Sequence, residues 1–123
     1  MKHIMVIDDS ATIRMSVEYA LKRPGFLMNH AVNGSDALEK VKNIKNKGED
    51  VALCIVDINM PVMDGITFID EFRRLDKYTP VLILTTESEE EKIKAGKKAG
   101  ASAWIVKPFK DQEMINVVQR LMR

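Results

Sequence analysis

Four short runs of uninterrupted apolar residues constrain the fold of this chain more than any other feature. The runs cover residues 4–7, 51–56, 81–84 and 103–106, and a more polar run at 27–31 has the character of a strand near a sheet edge. Short runs without polar interruption are typical of strands buried on both faces, as in a parallel sheet. The chain is therefore expected to build its core around such a sheet.

Longer segments with helical periodicity separate these runs. In four of them, apolar residues recur every three or four positions, so that they share one face of a helix. Pro24-Gly25 is expected to end the first helix, and Asp64-Gly65 to begin the third. The alternation predicts a doubly wound α/β fold, a five-stranded parallel sheet of the (βα)5 type with helices on both faces. The four apolar faces comprise Ile13, Val17 and Leu21; Ala37, Val41 and Ile44; Ile69, Phe72 and Leu75; and Met114, Val118 and Leu121.

The helix expected between Ser88 and Gly100 differs from the other four. Ser88 and Glu91 form a capping box, which specifies where this helix begins. Ile93 is its only large apolar residue, so the helix has little surface to bury. We expect it to be weakly held and movable.

Composition and charge exclude several classes of protein. The 123 residues carry 19 Lys and Arg against 18 Asp and Glu, and the net charge of +1 lacks the basic surplus typical of duplex-binding domains. No apolar run approaches the ~18 residues that span a membrane, and Asp8 follows the N-terminus too soon for a signal peptide. A single cysteine, Cys54, excludes an internal disulfide and a cysteine-rich zinc site. We expect one cytoplasmic domain over 1–123, with no nucleic-acid or membrane partner.

Polar residues follow four of the predicted strands at the points where those strands end. In an open α/β sheet, ligands bind at the carboxyl ends of the strands, so these side chains are candidates for one site. The first strand is followed by Asp8-Asp9, the third by Asp57, the fourth by Thr85-Thr86 and the fifth by Lys107-Pro108.

Three carboxylates at one edge of a sheet require a compensating charge. Each pair repels by roughly 4 kcal/mol at ~4 Å and an effective dielectric of ~20. Lys107 neutralises only one of them, whereas a hard divalent ion prefers such oxygen ligands, and Mg²⁺ is our choice. A metal, an ammonium and the Thr85 hydroxyl around one carboxylate indicate a phosphoryl-transfer site. Asp57 is then the predicted nucleophile, which becomes an acyl phosphate.

Each of these signals also has a simpler interpretation. Asp8-Asp9 alone could only cap the first helix, and Lys107 could be an ordinary surface lysine. The stretch that begins at Asp57 partly resembles a calcium loop, but Pro61 breaks that pattern. It also resembles the nucleophile motif of haloacid-dehalogenase phosphatases, except that these carry a second acid where this chain has Asn59.

Taken together, the residues resemble the receiver domain of bacterial response regulators. The resemblance covers residues 2–122, and although each motif alone is weak, the set matches in order and spacing. Within that family the chain looks most like single-domain chemotaxis regulators of the CheY type, which implies a flavodoxin-like fold with strand order 2-1-3-4-5. The matching residues are Asp8-Asp9, the stretch from Asp57 to Gly65, Thr85 and Lys107-Pro108-Phe109.

The resemblance implies a role for each residue of the predicted site. Asp57 would accept phosphate from a CheA-like histidine kinase and, with Asp9, would bind Mg²⁺ directly. Asp8 would act on the metal through water, and the backbone carbonyl of Asn59 would supply a further ligand. Lys107 would bind the phosphoryl group, and the Lys107-Pro108 peptide bond is expected to be cis.

The resemblance also implies how the signal leaves the domain. Thr85 and Trp104 match the switch pair of the family, although Trp104 could instead simply fill the core. The output face would comprise helix 4, strand 5 and helix 5, and its target would be the flagellar motor switch. Asn59 and Glu87 lie where family members set the lifetime of the acyl phosphate, and polar residues there predict rapid self-hydrolysis. A phosphatase partner is also compatible with this family.

Three rival functions share part of this evidence. A phosphorelay intermediate would use the same residues and pass the phosphate to another histidine. A receiver from a DNA-binding regulator would need an effector domain, and a small-molecule phosphatase would need a substrate pocket and a general acid. We expect a monomeric switch that phosphorylates and dephosphorylates itself but is not an enzyme with an independent substrate.

Overall fold

A computed structural model describes residues 2–22, 25–86 and 90–123 of the chain. Strands and helices alternate through these residues in the predicted βα order. The elements are β1 (Lys2–Ile7), α1 (Ala11–Leu21), β2 (Phe26–Ala31), α2 (Gly34–Asn46), β3 (Asp50–Asp57), α3 (Gly65–Leu75), β4 (Val81–Thr86), α4 (Glu90–Ala99), β5 (Ala103–Lys107) and α5 (Asp111–Leu121).

The five strands form one sheet in the order β2-β1-β3-β4-β5, and every neighbouring pair is parallel. This order confirms the flavodoxin-like prediction and places the more polar β2 at an edge, as its sequence indicated. The register aligns Ile7 with Val56 and Asp57 with Leu84. The residues at and after the ends of β1, β3 and β4 therefore lie together at the carboxyl ends of these strands.

Helices cover both faces of the sheet and divide the core into two layers. On one face, α2 and α3 pack over β1, β3 and β4, where the rings of Phe68 and Phe72 lie 5.5 Å apart. On the other face, α1 and α5 contribute Val17, Met114 and Val118, which are fully buried. The predicted apolar faces of the helices account for most of this core.

The structure corrects two details of the predicted core. Leu75 is 41% exposed, whereas Phe68 is fully buried, because the buried stripe of α3 runs through Phe68, Ile69 and Phe72 and leaves the last helical residue at the rim. The fifth strand was expected to be buried on both faces, yet Trp104 and Val106 are exposed while Ile105 is buried. Ile105 packs in the layer with α1 and α5, whereas the opposite face of β5 adjoins α4, which buries few side chains and leaves Trp104 open.

Helix α4 is held by few buried side chains. Within its described length only Gly96 is buried, and Ile93 is half-buried. A Cβ atom on Gly96 would lie 2.3 Å from Cδ1 of Ile83, so the helix backbone approaches β4 closely. The limited burial agrees with the predicted weak packing, and the movement of α4 stays a prediction. Ser88 and Pro24, predicted to mark helix ends, lie outside the described residues.

No helix in the described part of the chain has the length and apolar character needed to cross a membrane. Cys54 is buried in β3 as a free thiol.

Candidate functional site

Asp8 is held from several directions at the carboxyl end of β1. Its backbone N–H donates to the carbonyl oxygen of Ala31 at 3.1 Å, and its Oδ1 accepts from the backbone N–H of Ser10 at 2.9 Å. The residue is only 1% exposed. Ser10 in turn caps α1, since its hydroxyl accepts a hydrogen bond from the backbone N–H of Ile13. The N-cap of α1 is therefore Ser10, and the interpretation of Asp8-Asp9 as the capping residues is wrong.

The sheet brings the three predicted carboxylates together. One oxygen from each of Asp8, Asp9 and Asp57 lies within 4.8 Å of the others. Asp8 and Asp57 are buried, whereas Asp9 is exposed and leaves the cluster open to solvent on that side. Hard oxygen donors at this spacing suit Mg²⁺ or Ca²⁺, and Mg²⁺ is bound through one or two carboxylates while it retains several waters. The donor set therefore fits the predicted magnesium site.

Lys107 reaches both buried carboxylates from the end of β5. Its Nζ lies 2.9 Å from Oδ2 of Asp8 and 3.4 Å from Oδ2 of Asp57. The side chain of Lys107 is 17% exposed, so this ammonium is too enclosed to be an ordinary surface lysine. The Lys107-Pro108 peptide bond is cis, as predicted.

The pKa of Asp57 depends on its burial and on the charges of its neighbours. Burial raises this pKa above its ordinary value, Lys107 opposes the rise, and the neighbouring Asp8 carboxylate adds to it. One ammonium therefore does not fully compensate for two buried carboxylates. A divalent cation would remove the remaining penalty.

The backbone beyond β3 fixes the position of Asp57. The N–H of Asn59 donates to Oδ1 of Asp57 at 3.2 Å, and the N–H of Gly65 donates to the carbonyl oxygen of Ile58 at 2.9 Å. A Cβ atom on Gly65 would lie only 2.2 Å from the carbonyl oxygen of Asp57. Asp64 caps α3 as predicted, but the sequence pattern did not reveal that Gly65 also makes this close approach.

Thr85 lies at the end of β4, next to the strand that carries Asp57. It is fully buried, and its hydroxyl donates to the carbonyl oxygen of Thr86 at 3.1 Å. Its partner in β5 is Val106, one residue before Lys107. Thr85 thus lies between the acidic cluster and the edge strand β5.

Trp104 points away from the core on β5. Trp104 is 41% exposed, and Nζ of Lys97 lies 3.8 Å from the centre of its ring. The core-filling alternative for this tryptophan is therefore wrong. The cation–π contact connects β5 to α4 across the predicted output face.

One contact at the site was not anticipated from the sequence. Nζ of Lys92, on α4, donates to Oδ1 of Asn59 at 2.6 Å. The pattern of α4 marks Lys92 only as a solvent-facing residue, and nothing in it indicates a partner 33 positions away. Glu87, predicted to act together with Asn59, lies outside the described residues.

Comparison with known families decides the identity of this arrangement. The family model described as the response regulator receiver domain matches residues 4–119. This chain belongs to the receiver domain family. Receiver domains take phosphate from histidine kinases, generally bind Mg²⁺ and pass the signal to downstream targets. The receiver domain described here is thus a component of two-component signalling.

Curated relatives of this receiver domain include transcriptional regulators. The transcriptional regulatory protein PrrA of Mycobacterium tuberculosis is 35% identical over 120 residues, which are 98% of this chain and 49% of PrrA. SrrA of Staphylococcus aureus is 33% identical, with 98% of this chain and 47% of SrrA aligned. The chain therefore spans about half the length of these relatives.

Solved structures similar to this receiver domain include a chemotaxis protein. CheY4 of Vibrio cholerae is 36% identical, covers 98% of both chains and superposes with a TM-score of 0.86. The relatives therefore include regulators of transcription and of chemotaxis at nearly equal identity. A flagellar target stays a prediction.

Proposed function

We propose that this receiver domain is a phosphorylation-activated switch in which Asp57 accepts a phosphoryl group from a histidine kinase. The proposal rests above all on the position of Asp57: its carboxylate is buried, lies 3.4 Å from the Lys107 ammonium and belongs to the three-carboxylate cluster. Asp8 shares the cluster and the contact with Lys107, but it is more deeply buried, and its Oδ1 and Oδ2 already accept hydrogen bonds from Ser10 and Lys107.

The metal would be held by Asp9 and Asp57, with Asp8 acting through water and the backbone carbonyl of Asn59 as a further ligand. When bound, Mg²⁺ would offset the negative charge of the carboxylates and of the phosphoryl oxygens. Lys107 would contribute a second positive charge beside Asp57. The Asp57 carboxylate and the phosphoryl group are both anionic, so two positive charges beside them would reduce their repulsion during the transfer.

In the transfer itself, an oxygen of the Asp57 carboxylate attacks phosphorus in line with the leaving group. The new oxygen–phosphorus bond forms as the phosphorus–nitrogen bond of the donor phosphohistidine breaks, and the donor histidine returns to its free form. The N–H of Asn59, which donates to Oδ1 of Asp57, holds the carboxylate so that its other oxygen is available to attack. Lys107 then binds an oxygen of the acyl phosphate.

The acyl phosphate would end by hydrolysis, and Asn59 and Glu87 occupy the sequence positions that set its lifetime in the family. Because the cycle consumes only the phosphoryl group on Asp57, the domain acts as a switch and not as an enzyme with an independent substrate. A partner phosphatase would accelerate the same step.

The output would follow from a shift between two conformations of the domain. New contacts from Thr85 and Lys107 to the phosphoryl group would favour one of them. The proposed output face is formed by α4, β5 and α5, where a groove of about 420 Å³ is lined by residues that include Trp104, Val117 and Leu121. The small buried area of α4 supports its proposed role as the element that moves.

Two kinds of downstream target have support. The 36% identity to CheY4 over 98% of both chains supports a chemotaxis target such as the flagellar motor switch protein, with a CheA-like kinase as donor. The 35% identity to PrrA supports a transcriptional response instead. We propose the chemotaxis target, and binding of the phosphorylated domain to purified motor switch protein tests it against a PrrA-type output.

Intact-mass analysis tests the central proposal directly. The domain is mixed with Mg²⁺ and acetyl phosphate, and Asp57→Asn and a metal-free sample are treated in parallel. The expected result is a single transient phosphoryl adduct that is missing from both parallel samples. If no adduct forms at any Mg²⁺ concentration, the acidic cluster has a different role and the switch proposal is wrong.

A further inference from the structure

Arg14 connects helix α1 to the ends of two neighbouring strands. Its Nη1 donates to the backbone carbonyl oxygen of Asp8 at the end of β1, and its Nε donates to Nδ1 of His30 in β2 at 3.2 Å. The Asp8 carbonyl belongs to the rigid peptide group between Asp8 and Asp9. Arg14 therefore holds the backbone unit from which two of the three site carboxylates extend.

His30 contacts charged groups from both helices next to β2, through its ring on the α1 side and its backbone carbonyl on the α2 side. From α1, Oε1 of Glu18 lies 2.6 Å from His30 Nε2, and Arg14 lies on the other ring nitrogen. From α2, Nζ of Lys40 donates to the His30 carbonyl oxygen at 2.5 Å and also contacts Asp36 at 3.3 Å. Strand β1, which pairs with β2, places the uncharged Val6 opposite His30.

The hydrogen bonds determine where the proton of His30 resides. A guanidinium is always charged and only donates, so Nδ1 must be the unprotonated nitrogen that accepts from Arg14. Nε2 then carries the single ring proton and donates it to Glu18. All of these hydrogen bonds form together only when the imidazole is neutral. A proton on Nδ1 would point at the Nε–H group of Arg14, which is itself a cation.

We propose that Arg14 is a positioning residue for the metal and phosphorylation site, and that neutral His30 keeps it in place. This inference rests on the proposed function, since it assumes that the carboxylates of Asp8 and Asp9 serve Mg²⁺. Protonation of His30 removes the acceptor for Nε of Arg14 and adds a like charge beside it. Arg14 then loses its fixed geometry, and the Asp8 carbonyl loses a donor.

The consequence is a link between pH and the acidic site. Histidine is the side chain that ordinarily changes charge between about pH 5 and pH 8. Partners that only orient metal ligands typically contribute about 10-fold or more to metal affinity. The domain should thus bind Mg²⁺ more weakly when His30 is protonated.

Mg²⁺ affinity of the purified domain, measured by isothermal titration calorimetry at pH 8, tests the role of Arg14. Arg14→Lys keeps the charge but not the fork that reaches two acceptors, and Arg14→Met removes both. We expect both variants to bind Mg²⁺ about 10-fold more weakly than the natural domain. Far-UV circular dichroism confirms that each variant is folded. If Arg14→Lys binds normally and Arg14→Met binds more tightly, the residue acts only through its charge and the inference is wrong.

A matched pair of variants tests the role of His30. In His30→Asn the amide oxygen lies close to the position of Nδ1, so it accepts from Arg14 at every pH. In His30→Gln the amide extends toward the position of Nε2, and that acceptor is lost. We expect His30→Asn to bind Mg²⁺ normally at pH 8 and to lose less affinity than the natural domain between pH 8 and pH 6. His30→Gln should bind about 10-fold more weakly at both values.

The outcomes separate this inference from the proposed function. If the natural domain binds no Mg²⁺ at pH 8, both are wrong. If it binds Mg²⁺ while Arg14→Lys, Arg14→Met and His30→Gln all bind equally well, only the inference is wrong. Equal pH dependence in His30→Asn and the natural domain would overturn the part assigned to His30.

Discussion

Nζ of Lys107 lies 2.9 Å from Oδ2 of Asp8, although the two residues are 99 positions apart in the chain. The contact crosses the sheet from β5 to β1, past the strand that carries Asp57. It gives the most deeply buried carboxylate of the site a counter-ion. The effects expected from substitutions at the site follow from this arrangement.

Lys107→Met should destabilise the metal-free domain at neutral pH by about 2 kcal/mol, because it leaves two buried carboxylates without their cation. Urea unfolding measures the loss, and added Mg²⁺ should restore part of it. Lys110→Met is the matched control, since Lys110 is exposed and makes no side-chain cap of α5. A loss no larger than that of Lys110→Met would contradict the assigned role of Lys107.

Asp57→Asn should change how stability depends on pH. Burial raises the pKa of Asp57, so the folded domain binds a proton there more tightly than the unfolded chain. The metal-free natural domain should therefore lose stability as pH rises from the ordinary aspartate range through the raised pKa, and Asp57→Asn should not. The variant is thus expected to be the more stable of the two at pH 7, with a smaller difference near pH 3.

Denaturant unfolding from pH 3 to pH 7 without metal measures this effect. Asp70→Asn, at an exposed position of α3, serves as the control and should follow the natural domain. Parallel curves for Asp57→Asn and the natural domain would show that the Asp57 carboxyl is not destabilised by its surroundings.

Gly65→Ala should disturb both stability and phosphorylation. The added Cβ would lie 2.2 Å from the Asp57 carbonyl oxygen and 2.9 Å from Cα of Ile58, and these backbone atoms cannot move aside by a change of rotamer. We expect a loss of about 3 kcal/mol and a large fall in the phosphorylation rate with acetyl phosphate. Gly96→Ala, whose Cβ would meet only the end of the Ile83 side chain, should cost less. Equal losses would mean that the approach of Gly65 to Asp57 has no special importance.

Asn59→Leu should lengthen the lifetime of the acyl phosphate. Asn59 presents a polar side chain beside Asp57, and an apolar residue there would order an attacking water less well. Decay of the phosphorylated domain, followed by intact mass after removal of acetyl phosphate, measures the change, for which we expect severalfold slowing. Lys92→Met keeps Asn59 but removes the hydrogen bond at 2.6 Å, and it shows whether that contact also contributes. An unchanged decay rate in Asn59→Leu would remove this hypothesis.

Tryptophan fluorescence should report the switch, because Trp104 is the single tryptophan of the chain. Addition of Mg²⁺ and acetyl phosphate should change the emission as the ring leaves its position 3.8 Å from Nζ of Lys97. Asp57→Asn should show no response to the phosphodonor. In Lys97→Met, the starting emission should already differ from that of the natural domain. A constant spectrum through full phosphorylation would exclude movement of Trp104.

The order of the elements and the group of site residues could be predicted from the sequence alone. Apolar runs mark strands, and three-to-four-residue periodicity marks helices, because both patterns reflect local backbone geometry. Once the strands are parallel, residues that follow Ile7, Val56 and Leu84 must emerge at one edge. The acidic cluster was predictable for that reason, without knowledge of any contact.

Which side chains contact one another could not be predicted without the three-dimensional fold. An unbroken apolar strand does not reveal which face an edge position exposes, so the outward position of Trp104 could not be foreseen. Two other contacts depend on how far long polar side chains reach between elements. These are the hydrogen bonds of Arg14 with Asp8 and His30, and the hydrogen bond of Lys92 with Asn59. Such contacts are set by sheet twist, helix placement and side-chain rotamers, which combine across the whole domain and leave no periodic signal in the sequence.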